Sequence, residues 1–444
     1  MSKGKRIVKA RHREKLDMLV VNAGELVTVS GGTQKPKVGK QMGELGIIRD
    51  GGLAVKDGRI VAVGKSCDIT RIYKGEEVVS ANGKTVLPGF VDPHTHLVFA
   101  GSREDEFQMR LSGVPYMDIL SAGGGILRTV KETRKANVEK LVDHGTETLD
   151  AMLEYGTTTV EAKSGYGLTT KDELKMLEAV KRLNQLHSVD IVPTFLGAHA
   201  VPPEFSNNVQ GYVDLVTEEM IPEVCRKGLA EFCDVFCEKG VFNLEQTRRI
   251  LSVGKASGLK PKVHADEMSR VGGAELAAGI GAVSADHLLF SSAMGIKAMA
   301  DKGVVATLLP AAAFSLMGGR YADARQMIDC EVPVALGTDF NPSCWVENQQ
   351  VIIGLACHCM KMTPAEAITA VTINAAHAIN RANEVGSLET GKKADVVILD
   401  VPNHKFLGYR FGVNLVDKVV KNGRIVIDRE SSRNDFRLMD EQKM

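Results

Sequence analysis

Apolar and polar positions alternate in short runs along the first part of the chain. Between Leu16 and Val86 the runs are strand-like and divided by glycine turns: Asp17–Val21, Leu53–Val55, Ile60–Val63 and Val78–Val79. Asp57-Gly58, between two of them, is a hairpin signal, because both residues tolerate the positive φ of a tight turn. The same texture returns at Ala394–Leu399 and Asp417–Val420, and after Asn422-Gly423 at Ile425–Ile427. This spacing predicts one small β domain built from both ends of the chain.

The segment from about Phe90 to Ala382 reads differently. Short buried strands are expected at Gly89–His96, Thr157–Lys163, Ile191–Gly197, Cys233–Glu238, Lys260–Ala265, Ala282–His287, Val304–Leu308 and Pro333–Asp339. Amphipathic stretches such as Thr170–His187, Leu244–Ser257 and Ser291–Ala300 lie between them. Strand–helix alternation of this kind predicts a TIM-like (β/α)8 barrel. A doubly wound open sheet would need a Gly-rich phosphate turn after its first strand, and a His-x-His stands there instead. The expected organisation is a basic tail over 1–15, a β-sandwich from 16–88 and 386–430, the barrel over 89–385 and a polar tail over 431–444.

Charge and composition narrow the partners. Among 444 residues, Lys+Arg and Asp+Glu both number 55, so nothing draws the chain onto phosphate backbones or anionic membranes. No stretch is apolar for the ~18 residues that a membrane span needs. The basic residues before Leu16 are not followed by an apolar run, so neither a signal peptide nor an anchor is expected. The eight cysteines form no CxxC pair and read as reduced thiols of a cytoplasmic protein. The expected partner is a small molecule.

Candidate chemistry lies in the histidines. His94 and His96, two apart at the end of the first barrel strand, leave on the same face. His264, His287 and Asp339 close later strands, and His199 follows the third. Barrel active sites sit at strand C-termini, so these residues are expected to converge. Imidazoles with a carboxylate suit zinc or iron with one position open to water. Glu267, three residues after His264, is placed to exchange a proton with that water. His287 is either a further ligand or a proton partner. Cys357-His358-Cys359 falls in a helical run (Val351–Met362), where neighbouring side chains diverge, so no metal is expected there. His12, His144, His187, His358, His377 and His404 lack strand-end placement.

The run Val86-Leu87-Pro88-Gly89-Phe90-Val91-Asp92-Pro93-His94-Thr95-His96, with Gly337-Thr338-Asp339 and the closing 386–395 stretch, resembles the amidohydrolase superfamily. His96–Gly101 with Arg103, Ser121–Ile126, Lys163–Leu168, Gly197-Ala198-His199, Asp234–Glu238 and Asp339–Pro342 resemble its imidazolonepropionase family. That resemblance implies hydrolysis of 4-imidazolone-5-propanoate to N-formimino-L-glutamate, a step of histidine degradation. It implies metal ligation by His94, His96, His264 and Asp339 and substrate contacts from Arg103, Tyr166, His199, Glu267, Asn341, Ser343 and Cys344; catalysis by Glu267, helped by His287, is expected from the placement of the two residues. Tyr116 is a weaker contact, and His199 or the metal is expected to stabilise the developing oxyanion. Ser343 and Cys344 depart from the family's Gly and Ser/Thr, and a thiol at 344 is the poorer hydrogen-bond partner. One divalent or trivalent metal ion per chain, zinc or iron, is expected. A second ion bridged by a carbamylated lysine is not, since Lys239 comes late after its strand. A homodimer is implied as well. The alternative is a guanine- or cytosine-type heterocycle deaminase of the same superfamily.

Overall fold

The protein, seen here as a computed structural model, is described over residues 13–114, 118–119 and 123–429. His12, Tyr116, Ser121-Ala122, the first twelve residues of the basic tail and the polar tail at 431–444 lie outside the described residues. Glu14 and Lys15, expected in the tail, already belong to β1 (Glu14–Val27).

The two ends of the chain share one hydrogen-bonded sheet. β1, β2 (Ile47–Lys56), β3 (Arg59–Lys65), β4 (Tyr73–Ser80) and β5 (Thr85–Pro88) join β14 (Val396–Leu399), β15 (Val416–Lys421) and β16 (Arg424–Asp428). The order is β16-β15-β14-β5-β1-β2-β3, with β4 also on β1. Asp57-Gly58 and Asn422-Gly423 all take positive φ, as their hairpins require. Alternate residues of β1 face opposite ways: Met18 and Val20 pack with Leu53, Val55, Val396 and Ile398, while Leu19 and Val21 pack with Ile69.

The barrel strands are β6 (Phe90–Asp92), β7 (Thr157–Lys163), β8 (Asp190–Ala198), β9 (Phe232–Cys237), β10 (Lys260–Ala265), β11 (Ser284–His287), β12 (Val305–Leu308) and β13 (Val334–Leu336), paired in that order. Each of these neighbour pairs is parallel, the pattern that intervening helices permit. Helices start where side chains take up their free amides: Thr169 caps Thr170–Leu186, and Asn243 with Gln246 forms a capping box on Leu244–Ala256.

The first and last barrel strands are shorter than their sequence suggested, ending at Asp92 and Leu336 rather than at His96 and Asp339. Closure is made beyond them by irregular backbone. Asp339 N donates to His94 O at 3.0 Å, and His96 N donates to Phe340 O at 2.8 Å. Asp92 pins this seam, its carboxylate accepting from Thr338 N at 3.1 Å and Thr338 Oγ1 at 2.6 Å. Pro93 offers no amide hydrogen to a ladder, which is one reason that regular pairing stops there.

Lys421, nearly fully buried, ties the terminal sheet to the barrel. Its Nζ lies 2.6 Å from Asp395 of the sheet region and 2.6 Å from Asp190, which opens β8. Removing one partner of a buried pair strands the other charge, at a cost of about 3 kcal/mol or more. Lys421→Met is therefore expected to lower the unfolding free energy by an amount of that order, seen as a lower denaturant midpoint by circular dichroism. An unchanged midpoint would show that this ion pair does not brace the junction.

Candidate active site at the barrel mouth

The strand ends bring His94, His96, His264, His287 and Asp339 together, all buried. The rings of His94 and His264 have centroids 4.6 Å apart, and those of His264 and His287 5.2 Å. His94 Nε2 and His96 Nε2 each stand 3.5 Å from Asp339 Oδ1. Potential ligand atoms of His94, His96 and His264 lie within 4.8 Å of one another, as do those of His94, His287 and Asp339. Burial raises the Asp339 carboxyl to about 7, against the pull of His264 and a hydrogen bond from Asn341. Burial, then Lys163 and the other imidazoles, hold His94 neutral, well below the usual histidine range.

This donor set fits a cation. His94 Nε2, His264 Nε2 and Asp339 Oδ1 are buried without a hydrogen-bond partner, which folded proteins rarely leave so without a purpose. Tetrahedral metal–ligand bonds of about 2.0–2.1 Å put ligand atoms roughly 3.4 Å apart, close to the 3.5 Å spacings around Asp339 Oδ1. Nitrogen and carboxylate oxygen suit zinc or iron alike. Lys239 is exposed, away from the buried cluster.

The surrounding loops are strapped by buried carboxylates. Glu238 accepts from Met268 N at 2.9 Å, Ser269 N at 3.3 Å and the Ser269 hydroxyl. Asp266, at φ +51°, accepts from Val271 N, Gly272 N, Gly273 N and Ala274 N. Between these straps Glu267 is held into the cavity, its Oε2 3.6 Å from His287 Nε2. Burial, then the charge of Asp339, push the Glu267 carboxyl up to about 8 against His264. Glu173 likewise accepts from Gly165 N, Gly167 N and Leu168 N at 2.8–3.0 Å, fixing the loop that carries Tyr166. Gly165 sits at φ +111°, and a Cβ there would come within 3.0 Å of His199. Gly125 N, in the Gly123–Gly125 turn, donates to Glu106 Oε1 at 3.0 Å.

The cavity is lined by His96, Arg103, Tyr166, His199, His264, Glu267, His287, Asp339, Asn341, Ser343 and Cys344, so the sequence-derived candidates share one space except His94, which lies beneath it. His199 stacks on His96, ring centroids 4.8 Å apart. Its Nδ1 donates to Gly165 O at 3.1 Å, since a carbonyl can only accept. Burial and His264 hold its pKa down to about 3, so Nε2 carries no proton. That tautomer accepts hydrogen bonds, and the oxyanion-donor role expected for His199 does not suit it. Arg103 is buried, its Nε donating to Thr129 Oγ1 at 2.9 Å and its Nη1 to Ser343 Oγ at 2.8 Å. The Asn341 side chain closes its own turn, donating to Asp339 O and accepting from Ser343 N and Cys344 N. The Cys344 thiol donates to Thr338 O at 3.6 Å.

Sequence reasoning missed the carboxylate straps, Thr129, and the buried charges Glu161, Lys163, Asp234, Lys262 and Asp286. One signal was available for the last group. Glu161/Lys163, Lys262/His264 and Ser284/Asp286 are polar pairs two apart in short strands, the mark of residues sharing one face.

Three comparisons bear on this arrangement. A model of the amidohydrolase family matches residues 85–426. An imidazolonepropionase of Alkaliphilus metalliredigens is 54% identical over 417 residues, covering 93% of this chain and 99% of its own. One from Geobacillus kaustophilus is 55% identical over 416 residues, covering 93% and 98%. Among solved structures, a zinc-bound adenosine deaminase from Xanthomonas campestris superposes with a TM-score of 0.71 at 19% identity, covering 97% of this chain and 99% of its own. Guanine deaminase from E. coli gives 0.70 at 14%, covering 93% and 99%, and at such identities the likeness speaks to fold alone. With more than half its aligned positions shared over nearly its whole length, the chain belongs to the amidohydrolase family and, within it, to the imidazolonepropionases.

Proposed function

We propose that the protein hydrolyses the ring amide of 4-imidazolone-5-propanoate to give N-formimino-L-glutamate. The observation that carries this reading is Arg103: a buried guanidinium facing the same cavity as the imidazole–carboxylate cluster. A substrate joining a cyclic amide to a propionate would span the two, and a neutral nucleobase would leave that arginine without an anion. Deaminase structures share the fold at only 14–19% identity, so they lend the alternative no comparable support.

His94, His96, His264 and Asp339 would hold one zinc or iron ion per chain. When bound, such an ion polarises water and lowers its pKa toward ~7. Glu267 takes the proton of the attacking water and delivers it to the departing ring nitrogen, a role suited to a carboxyl whose burial draws its pKa toward neutrality. His287, 3.6 Å away, steadies Glu267 between the two states. His199, with Nδ1–H fixed on Gly165, offers Nε2 as an acceptor for a ring N–H. Thr129 and Ser343 take up the Nε–H and one Nη1–H of Arg103, leaving its remaining N–H groups for the propionate, beside Tyr166. Asn341 shapes the turn that presents Ser343 and Cys344. A cytoplasmic setting and a homodimeric working unit belong to the same reading and rest on the family resemblance.

Glu267→Gln is expected to reduce turnover by more than ~10²-fold while metal content, read by elemental analysis, stays near one equivalent. Retained turnover would remove Glu267 from the proton path. Arg103→Met is expected to raise KM for the propionate-bearing substrate by about 10–100-fold, the worth of charge-assisted hydrogen bonds, with a smaller change in kcat. An unchanged KM would sink the carboxylate assignment. Chelation should abolish the loss of imidazolone absorbance, and zinc or ferrous ion should restore it. Ammonia release from guanine or cytosine in place of that activity would favour the deaminase reading.

A further inference from the structure

Beneath the imidazoles, the barrel interior holds charges that the proposed reaction does not use. Lys163 Nζ lies 2.8 Å from Glu161 Oε1, 2.8 Å from Asp234 Oδ2 and 3.6 Å from Asp286 Oδ2. Lys262 Nζ reaches the same Glu161 oxygen at 3.1 Å and Asp286 at 3.9 Å. All five side chains are fully buried. Three carboxylates face two lysines, which leaves a negative charge over in a region sealed from water. Such an excess is costly unless a cation adjoins it.

Two of the carboxylates reach upward. Asp286 Oδ2 stands 2.6 Å from His94 Nδ1, far closer than to either lysine, while its Oδ1 is held by the Ser284 hydroxyl at 2.7 Å. Asp234 Oδ2 stands 3.0 Å from His264 Nδ1, while its Oδ1 accepts from Val235 N at 2.8 Å and His264 N at 3.2 Å. With the second oxygen of each carboxylate fixed, neither can turn away from its imidazole. A carboxylate has no hydrogen to offer, so the His94 ring, hydrogen-bonded to Asp286, keeps its proton on Nδ1 and turns a bare Nε2 into the cluster, while Asp234 faces the His264 ring as a close negative neighbour.

We propose that Asp286 and Asp234 are positioning residues for the metal centre, Asp286 fixing the tautomer and orientation of His94 and Asp234 holding His264 in place by its charge, and that Lys163, in contact with both, locks the two carboxylates into one unit. This inference rests on the metal-centre reading above. In an isosteric Asn variant the amide N–H₂ can donate to Nδ1. That favours the tautomer with the proton on Nε2, which must give it up before a metal can bind and so binds more weakly.

The test uses full-length apoprotein prepared by chelation. Zinc affinity is read by competition with a chromophoric chelator, and geometry by the visible absorption of the cobalt-loaded protein. Asp286→Asn and Asp234→Asn, each with wild-type circular dichroism, are expected to bind zinc about 10–100-fold more weakly and to alter the cobalt bands. A purely structural role would lower the melting temperature and move neither readout. Folded variants that bind zinc within twofold of wild type, with unchanged cobalt bands, overturn the inference. Asp234 is the closer partner of Lys163, so if its variant fails to fold, Asp286→Asn decides alone. Wild-type protein that binds no zinc or iron would bring down the metal-centre reading itself, and this inference with it.

Discussion

Lys163 carries its charge at the centre of the barrel, where an unpaired ammonium would cost several kcal/mol or give up its proton. Burial alone would depress it, but Asp234, Glu161 and Asp286 outweigh that and hold it above the usual lysine range. The requirement spreads outward. Those carboxylates need partners of their own, and they find them in Lys262, Thr194, Ser284 and the imidazoles of His94 and His264. Inward positions of β7, β10 and β11 are therefore polar, and in β9 Asp234 stands among them between Phe232 and Phe236 on the same face. An apolar interior would be simpler to stabilise, since replacing buried ion pairs by hydrocarbon is often neutral or favourable. What the charged interior supplies is a set of imidazoles held in one orientation.

Above that floor the chain departs from regular geometry, and it does so around the cavity. Asp266, His287, Leu288 and Asp339 all take positive φ without being glycine, which costs of order 1 kcal/mol or more for each. The buried carboxylates of Glu173, Glu238 and Asp266 hold the loops at 165–168 and 268–274 by accepting several backbone amides each, taking the place of ladder partners that strand-end loops lack. The result is a mouth whose loops are tied down by side-chain hydrogen bonds. Glu267 and Tyr166 are thereby aimed before any ligand arrives, the kind of preorganisation that lowers the cost of reaching a transition state.

Much of this was legible in the chain itself. Strand–helix alternation announced the barrel, and dipeptides such as Asp57-Gly58 announced hairpins that form as expected. Histidines at strand ends stood out because their spacing is local: His94 and His96 are two residues apart, and His264 directly precedes Ala265 at the end of β10. Boundaries were less legible. The first and last barrel strands looked longer than they are because extended residues continue past the last ladder bond, and only the seam at Asp92 and Thr338 shows where pairing ends.

By itself the sequence determined the fold class, the two-ended sheet and the inventory of groups able to bind a cation or move a proton, because each is written in periodicity and residue type over a few neighbours. The tertiary structure decided how those groups are used. The tautomer of His199 depends on a carbonyl 34 residues away, and the grip on Arg103 depends on a hydroxyl 240 residues away. His94 owes its bare nitrogen to Asp286, 192 residues distant. Such pairings exist only once the barrel closes, since closure alone removes the water that would otherwise satisfy each polar group separately.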